Sequence, residues 1–382
     1  MNSRDYFIIF ILVSALSLFL MIEQIQATKQ LYSKVNSDFI NKLNKPREKL
    51  ARVELKKMRY KPERIEARGV YLTARSAGNP QKVNQIIRLI EQTQLNSVVI
   101  DIKDFSGRLL YDSKLELAEK YSVEENRIGD IEALLTKLHQ HNIYTIARIS
   151  VFQDTALAES RPDLAIQNKE GEVWRNAKGL AWTNPAKKEV WEYNIAIAKE
   201  AAELGFDEVN FDYVRFPSDG DTSKIKPQRS TDQKQQVMAG FYEYISKEMR
   251  YEPVWTSLDF FGMTMESKEG LSIGQNLKHA VDEVDYISPM MYPSHYPKGH
   301  IGFENPAEHP GKILENGLRQ GKKYFEDSRA QVRPWIQAFG LNYDYDREKM
   351  QAQIKTVEKY TDAGWLLWNA RNVYSKHEIS DQ

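Results

Sequence analysis

The chain has 382 residues, with 53 basic and 53 acidic side chains and no cysteine. This balance of charge argues against a nucleic-acid-binding protein, because no excess of lysine and arginine is present to neutralise phosphates. The lack of cysteine excludes a disulfide framework, a thiol nucleophile and a cysteine-ligated zinc site, but it does not fix the compartment.

The chain starts with an apolar run at residues 6–22. This run is near the lower limit of the roughly 17–25 residues that span a bilayer, so it predicts an export signal or a membrane anchor. Ile25 stands where a cleavage site prefers a small side chain, although Ala27 could serve. We therefore favour an uncleaved anchor within residues 1–27, with the rest of the chain outside the cytoplasm; a secreted protein is the alternative.

Residues 28–63 are polar and rich in lysine, glutamine and asparagine, which predicts a stalk or linker. Residues 64–382 then form a unit that is long for one domain, except in the α/β-barrel class. Nothing in the sequence indicates an oligomeric state.

Within residues 64–382, short β-rich runs alternate with amphipathic helical patterns. The predicted strands are Gly69–Thr73, Ser97–Asp104, Tyr144–Phe152, Glu208–Phe216, Pro253–Phe261, Tyr286–Tyr292, Arg333–Gly340 and Gly364–Ala370. Eight strands separated by helices predict a (β/α)8 TIM barrel, with a doubly wound open sheet as the alternative. No glycine-rich phosphate loop follows the first strand, so we predict no nucleotide or other cofactor.

The fourth predicted strand carries the most informative residue, Asp212. Val209 and Phe211 alternate with Asn210 and Asp212, so one face of the strand is apolar and the other polar. A buried carboxylate is costly unless something compensates its charge, which favours a position in a wet cleft. The structural alternative is an aspartate that caps the following turn and pairs with Arg215.

Polar and aromatic residues recur at the predicted strand ends and in the loops that follow. In a barrel, these ends and loops converge at the C-terminal mouth, where active sites lie. The long insertion at residues 153–188 adds tryptophans to the same end. The residues that we assign to substrate binding are Arg148, Asn210, Arg215, Tyr292, His295, Trp182, Trp368 and Asn369.

Three aspartates stand at suitable strand ends for catalysis: Asp212, Asp259 and Asp101. Glycosidic cleavage needs one carboxyl group to protonate the leaving oxygen and another to attack the anomeric carbon or activate water, while aromatic faces stack on sugar rings. Asp101 also has a structural interpretation, as an ion-pair partner of Lys103. No histidine pair has metal-ligand spacing and no Gly-x-Ser-x-Gly elbow occurs, so we predict neither a metal site nor a serine hydrolase.

Several long motifs resemble a known family. Residues 168–174, 179–185, 205–220 and 288–296 look like the putative glycoside-hydrolase domain family of exported prokaryotic proteins, a likeness that covers nearly all of residues 68–375. A more distant likeness is to family 18 chitinases, through Gly205–Asp207, Asp212 and Met290–Tyr292. The chitinase glutamate position falls on Val214, so the resemblance implies instead a barrel glycosidase with Asp212 as nucleophile and Asp259 or Asp101 as acid/base.

The expected function is therefore hydrolysis of an envelope or extracellular polysaccharide. A transglycosylase or lyase would use the same pocket, and only its products would distinguish it. The alternative from another class is a non-catalytic glycan-binding or envelope-scaffold protein on the same barrel, which Val214 at the glutamate position favours.

Overall fold

The structure is a computed structural model that describes residues 61–340 and 345–380. The predicted membrane segment at residues 6–22 and nearly all of the predicted stalk lie outside the described residues. Within those two ranges, no helix has the length and apolar character that crossing a bilayer requires.

Eight parallel strands of the described chain form a closed barrel. They are β1 (Ala67–Leu72), β2 (Ser97–Lys103), β3 (Tyr144–Ser150), β4 (Glu208–Asp212), β5 (Trp255–Phe261), β6 (Tyr286–Met291), β7 (in two segments, Gln331–Val332 and Trp335–Gln337) and β8 (Gly364–Trp368). The barrel closes where β8 pairs with β1, with Ala67 opposite Gly364. Closure confirms the predicted barrel and rules out the doubly wound open sheet.

Helices alternate with most of the strands around the barrel, as the sequence predicts. They are α1 (Ala74–Ala77), α2 (Pro80–Glu91), α3 (Glu116–Lys120), α4 (Ile131–Gln140), α5 (Thr155–Ser160), α6 (Lys188–Leu204), α7 (Thr231–Met249), α8 (Pro310–Gly321), α9 (Arg347–Val357) and α10 (Lys376–Ile379). The ring is irregular between β5 and β6, where the described chain forms only the 3-10 turns Gly262–Met265 and Leu277–His279. This gap leaves the loop after β5 free to shape the mouth of the barrel.

The ends of the helices set the positions of the strands that follow. Helix α6 stops at Leu204 because Gly205 adopts a φ of 105°, a left-handed conformation that glycine adopts at low cost. The chain then turns directly into β4. Along β4, Val209 and Phe211 point outward and pack in the core between the strands and the helices, so Glu208, Asn210 and Asp212 point into the barrel.

The interior of the barrel is filled at its N-terminal end by a buried polar cluster, which we call the floor. The guanidinium of Arg333 pairs with the carboxylate of Glu208, and both side chains are fully buried. Ser257 Oγ donates to Glu208 Oε1 at 2.6 Å, and Tyr144 OH donates to Glu208 Oε2 at 3.1 Å. The Arg333 guanidinium also lies 4.0 Å from the centre of the Tyr286 ring.

Closure of the barrel predicts a strong requirement for glycine at position 364. Gly364 has a φ of 87°, and a Cβ there would lie 2.1 Å from the carbonyl oxygen of Ala67 on β1. We expect Gly364→Ala to lower the free energy of unfolding by roughly 1–3 kcal/mol for the backbone conformation and by about as much again for the clash. Urea unfolding measures the loss.

A matched control separates these two effects. Gly179 also has a positive φ, 77°, but no atom lies within 4 Å of a Cβ built there. Gly179→Ala should therefore show the backbone cost alone. Equal losses in the two variants would contradict the steric argument at the β1–β8 seam.

Candidate active site

The candidate site lies at the C-terminal mouth of the barrel, where the register of neighbouring strands brings polar side chains together. Asp101 on β2 lies opposite Arg148 on β3, and Arg148 lies opposite Asn210 on β4. Asp212 follows two residues further along β4, at the last position of that strand. All four side chains are buried.

Arg148 is the hub of this cluster. Its Nη1 donates to Asp101 Oδ1 at 2.5 Å, its Nη2 donates to Asp212 Oδ2, and its Nε lies 3.7 Å from Asp259 Oδ2. One guanidinium therefore contacts all three predicted catalytic aspartates. Its planar fork suits this task, since it presents five N–H donors in fixed directions.

Asp259 on β5 is the most enclosed carboxyl group of the three, with 1% of its surface exposed. Asn210 Nδ2 and Trp335 Nε1 both donate to its Oδ1 at 2.8 Å. Burial and the neighbouring charge of Asp212 raise the pKa of Asp259 well above the ordinary value, and these effects outweigh the opposing influence of Arg148. Asp259 is thus suited to hold a proton.

Asp101 contacts Arg148 and Tyr71, and the predicted pairing with Lys103 is wrong. Tyr71 OH donates to Asp101 Oδ2 at 2.5 Å. The strand register shifts between Asp101 and Lys103, so the two side chains no longer share a face. Lys103 instead points into the layer of helices, where its Nζ contacts Asp154 Oδ2 at 2.6 Å.

Asp212 does not pair with Arg215, contrary to the structural alternative. Arg148 Nη2 donates to one of its oxygens and the backbone N–H of Tyr213 donates to the other, at 2.5 Å. Tyr213 has a φ of 53°, which is unusual for a bulky side chain. Backbone strain of this kind concentrates at functional sites, where the surrounding structure maintains it.

A cleft of about 400 Å³ opens above the cluster. Asp212 and Asp259 both contribute to its wall, together with aromatic and apolar side chains. Its lining residues are Arg148, Asp212, Tyr213, Arg215, Asp259, Phe261, Gly262, Met263, Met290, Tyr292, His295, Tyr296, Trp335 and Trp368.

Five of the residues assigned to substrate binding line this cleft: Arg148, Arg215, Tyr292, His295 and Trp368. The rings of Tyr292 and Trp368 lie nearly parallel, with their centres 6.5 Å apart. Burial lowers the pKa of His295, which favours a neutral imidazole beside Tyr292. These side chains provide the mixture of ring faces and polar groups that sugar recognition uses.

The other three binding candidates lie outside the cleft wall. Asn210 holds Asp259 and Ser257. Trp182 is fully buried, with its ring against Tyr213. Asn369 Nδ2 donates to the carbonyl oxygens of Ala338 and Val373 at 2.7 and 2.8 Å, which joins the loops after β7 and β8. Each of these side chains supports the cleft from behind.

The structure adds site residues that the sequence analysis missed. Tyr71 and Trp335 bind two of the three aspartates, and Phe261 and Met263 line the cleft beyond β5. The sequence could have indicated that Tyr71 and Trp335 face the interior of the barrel. Residues two apart in a strand share a face, so Tyr71 lies on the face of Gly69, and Trp335 on that of Arg333 and Gln337. Met263 lies on a 3-10 turn, and no signal in the sequence pointed to it.

In the two described ranges, no group of three or more histidine, aspartate or glutamate side chains is placed to hold a metal ion. The cluster consists instead of carboxyl groups held by arginine, tyrosine, asparagine and tryptophan donors. This arrangement is suited to proton transfer and to stabilising a positively charged carbon centre.

A family model described as "Putative glycosyl hydrolase domain" matches residues 69–374. No curated protein matches the chain. Similar solved structures include the PgaB (BpsB) glycoside hydrolase domain from Bordetella bronchiseptica, which is 12% identical, with a TM-score of 0.58 over 83% of this chain and 99% of that chain.

Two further structures are similar over different lengths. The alpha-galactosidase TtGalA from Thermus thermophilus, in complex with stachyose, is 10% identical, with a TM-score of 0.51 over 84% of this chain and 64% of that chain. A hypothetical protein from Ruminiclostridium thermocellum is 30% identical over 50% of this chain and 96% of that chain, with a TM-score of 0.45.

Proposed function

This chain belongs to the family described as "Putative glycosyl hydrolase domain", and from that premise we propose that it hydrolyses glycosidic bonds of an envelope or extracellular polysaccharide. The observation that carries the proposal is the pair Asp212 and Asp259 in the wall of one cleft, where Arg148 and the Tyr213 N–H donate to Asp212 and burial raises the pKa of Asp259. Two carboxyl groups with different protonation are the minimum requirement for glycoside hydrolysis.

Asp212 acts as the negatively charged partner. The Arg148 guanidinium and the Tyr213 N–H donate to its two oxygens and hold the carboxylate in a fixed orientation. Placed at the end of β4 and in the wall of the cleft, it attacks or stabilises the anomeric carbon as positive charge develops there.

Asp259 acts as the proton donor. Its raised pKa keeps the carboxyl group protonated, and departure of the leaving group requires transfer of that proton to the glycosidic oxygen. The hydrogen bonds from Asn210 and Trp335 occupy Oδ1, so in this proposal Oδ2 is the oxygen that carries the transferable proton. Asp101 is the less favoured candidate for this role, since Tyr71 and Arg148 bind both of its oxygens.

The direct test is release of reducing ends by the full chain from a panel of envelope and storage polysaccharides. Release, together with identification of the products, would establish a hydrolase, whereas an unsaturated or anhydro end would identify a lyase or transglycosylase. Failure to cleave any polysaccharide in the panel would count against the proposal.

We predict that activity declines as the pH rises through the pKa of Asp259, because a general acid works only while protonated. Burial and Asp212 raise that pKa, so the fall of kcat/KM at alkaline pH, its alkaline limb, should occur well above pH values of about 4, the ordinary pKa of an aspartate. Asp259→Asn should remove this limb and lower the rate on polysaccharide about 10²–10⁴-fold.

The leaving group provides a control for this prediction. In an aryl glycoside whose leaving group is an acidic phenol, the phenolate departs without being protonated. Asp259→Asn should therefore reduce hydrolysis of this substrate far less than hydrolysis of the polysaccharide. Equal losses on both substrates would show that Asp259 maintains the site without donating a proton.

A second candidate function, glycan binding without turnover, is favoured by the contacts that all three carboxyl groups make with one internal arginine. Arg148 contacts Asp101, Asp212 and Asp259, which is also what a structural cluster would show. A binding protein would retain its affinity for glycan in Asp212→Asn and would release no reducing ends in either form.

A further inference from the structure

Arg215 differs from Arg148, the other arginine that lines the cleft, because no carboxylate in the described part of the chain forms an ion pair with it. It follows β4 and lines the cleft, with 7% of its surface exposed. Its side-chain hydrogen bonds to the described residues both use Nη1, which donates to the Phe216 carbonyl oxygen and to Ser218 Oγ, each at 3.2 Å. The N–H groups on Nε and Nη2 make no such bond within the described residues.

Aromatic rings surround this guanidinium on several sides. Its central carbon lies 4.9 Å from the ring centre of Trp182, 5.3 Å from that of Tyr213 and 4.8 Å from that of Phe261. Such cation–π contacts compensate part of the cost of burying a charge and hold the guanidinium in a fixed orientation. They leave unused the in-plane N–H donors, which are the groups that bind an oxyanion.

The electrostatic consequence is visible in a comparison with Arg148. Burial lowers the pKa of Arg215, because Tyr213, Asp212 and Asp219 offset the desolvation only in part. Burial acts in the same direction on Arg148, but Asp101 and Asp212 raise the pKa of Arg148 well above its ordinary value. The charge of Arg148 is therefore already paired with carboxylates of the protein, whereas the charge of Arg215 is not.

A buried cation without an anionic partner is costly, and a ligand that supplies the partner recovers that cost on binding. The guanidinium fork matches a carboxylate through two parallel hydrogen bonds. We propose that Arg215 binds the carboxylate of an acidic sugar, so that the substrate is a glycan containing uronic acid residues. That this glycan is a substrate rests on the proposed hydrolase function.

The surrounding charges are compatible with an incoming anion. Asp212 and Asp101 both pair with Arg148, so neither carboxylate occupies the N–H donors of Arg215. Phe261 and Met263 form an apolar wall beside Arg215, and this wall reduces competition from water for the guanidinium.

The test compares polyuronates with their carboxyl-reduced forms, which keep the linkage and lose the charge. Oligomers of polygalacturonate, alginate and hyaluronan are titrated calorimetrically into the full chain and into its Asp212→Asn variant, in which turnover does not interfere. We expect at least one acidic oligomer to bind at least tenfold more tightly than its reduced form. No preference for the acidic form in any of the three would overturn the inference.

Variants then assign the preference to Arg215. Arg215→Gln should abolish the preference while leaving affinity for the reduced oligomer within about threefold, and Arg215→Lys, which keeps the charge but not the fork, should keep part of it. Arg319→Gln, on the exposed face of α8, is the control and should change neither affinity. A preference that persists in a folded Arg215→Gln protein would overturn the assignment.

The experiments separate the role of Arg215 from the hydrolase function, because either one can fail while the other holds. Hydrolysis of neutral glycans without any preference for carboxylates would refute the role of Arg215 and leave the hydrolase standing. A preference that depends on Arg215, found without release of reducing ends from any acidic glycan, would support acidic-glycan recognition and refute the hydrolase.

Discussion

Asp212→Asn is expected to reduce hydrolysis at least about a hundredfold, the lower end of what a positioned acid, base or nucleophile contributes. The change keeps the shape of the side chain and removes the charge that, in the proposed mechanism, stabilises or attacks the anomeric carbon. The loss should be seen mainly in kcat, because the transition state carries more positive charge than the bound substrate. Initial rates of reducing-end release across a range of substrate concentrations measure it.

The control for this experiment is Asp285→Asn at the opposite end of the barrel. Asp285 is also buried and also paired with arginine, since Arg329 Nη2 contacts its Oδ1 at 2.9 Å. Asp285→Asn therefore reproduces the loss of a buried, paired charge without touching the cleft. If both variants lost activity in proportion to their loss of stability, Asp212 would be a structural residue.

The second large effect is expected for Arg148→Met, which leaves three buried carboxyl groups without their shared cation. Removing one partner of a buried ion pair commonly costs about 3–5 kcal/mol, and here a single cation serves several groups. We expect a large drop in the urea midpoint and loss of activity in the molecules that remain folded. Arg148→Lys should retain part of the stability.

The instability of Arg148→Met should depend on pH in a defined direction. Burial already raises the pKa values of Asp101 and Asp259, and removal of Arg148 withdraws an influence that lowers both. The folded variant therefore binds more protons than the unfolded chain at pH values above about 4, the unfolded aspartate pKa. Its free energy of unfolding should fall as pH rises through this window, so the deficit relative to the parent is smallest at low pH.

Urea unfolding at several pH values between 4 and 8 measures this trend. Arg333→Met is the matched comparison, because Arg333 is also fully buried and pairs with Glu208 on the floor, away from the cleft. Arg333→Met should lower the free energy of unfolding, but the molecules that remain folded should keep their activity. A deficit in Arg148→Met that does not change with pH would mean that the aspartates are not the groups left uncompensated.

Much of the barrel was predictable because its strands are short, bounded runs separated by helical periodicity. The phase of β4 correctly predicted that Asn210 and Asp212 face the interior, since alternation is a local property of a strand. The order of the strands around the barrel then followed from right-handed parallel connections, which placed Asp101, Arg148, Asp212 and Asp259 at one mouth.

The pairing of side chains was not predictable, because it depends on contacts between distant parts of the chain. Asp101 and Lys103 share a face in a regular strand, but the irregular register between them turns Lys103 outward. Arg148 and Asp212 are 64 residues apart, and no local pattern links them. Burial of Trp182 also depends on how the insertion folds back against Tyr213, which composition does not reveal.

The filled floor determines how material moves through this barrel. Glu208, Arg333 and Tyr286 occupy the axis at its N-terminal end, and Arg64 covers Trp255 just below them. On the proposed function, a glycan chain has no route through the axis and would lie across the mouth of the barrel. Substrate arrival and product departure would then both use the mouth of the barrel.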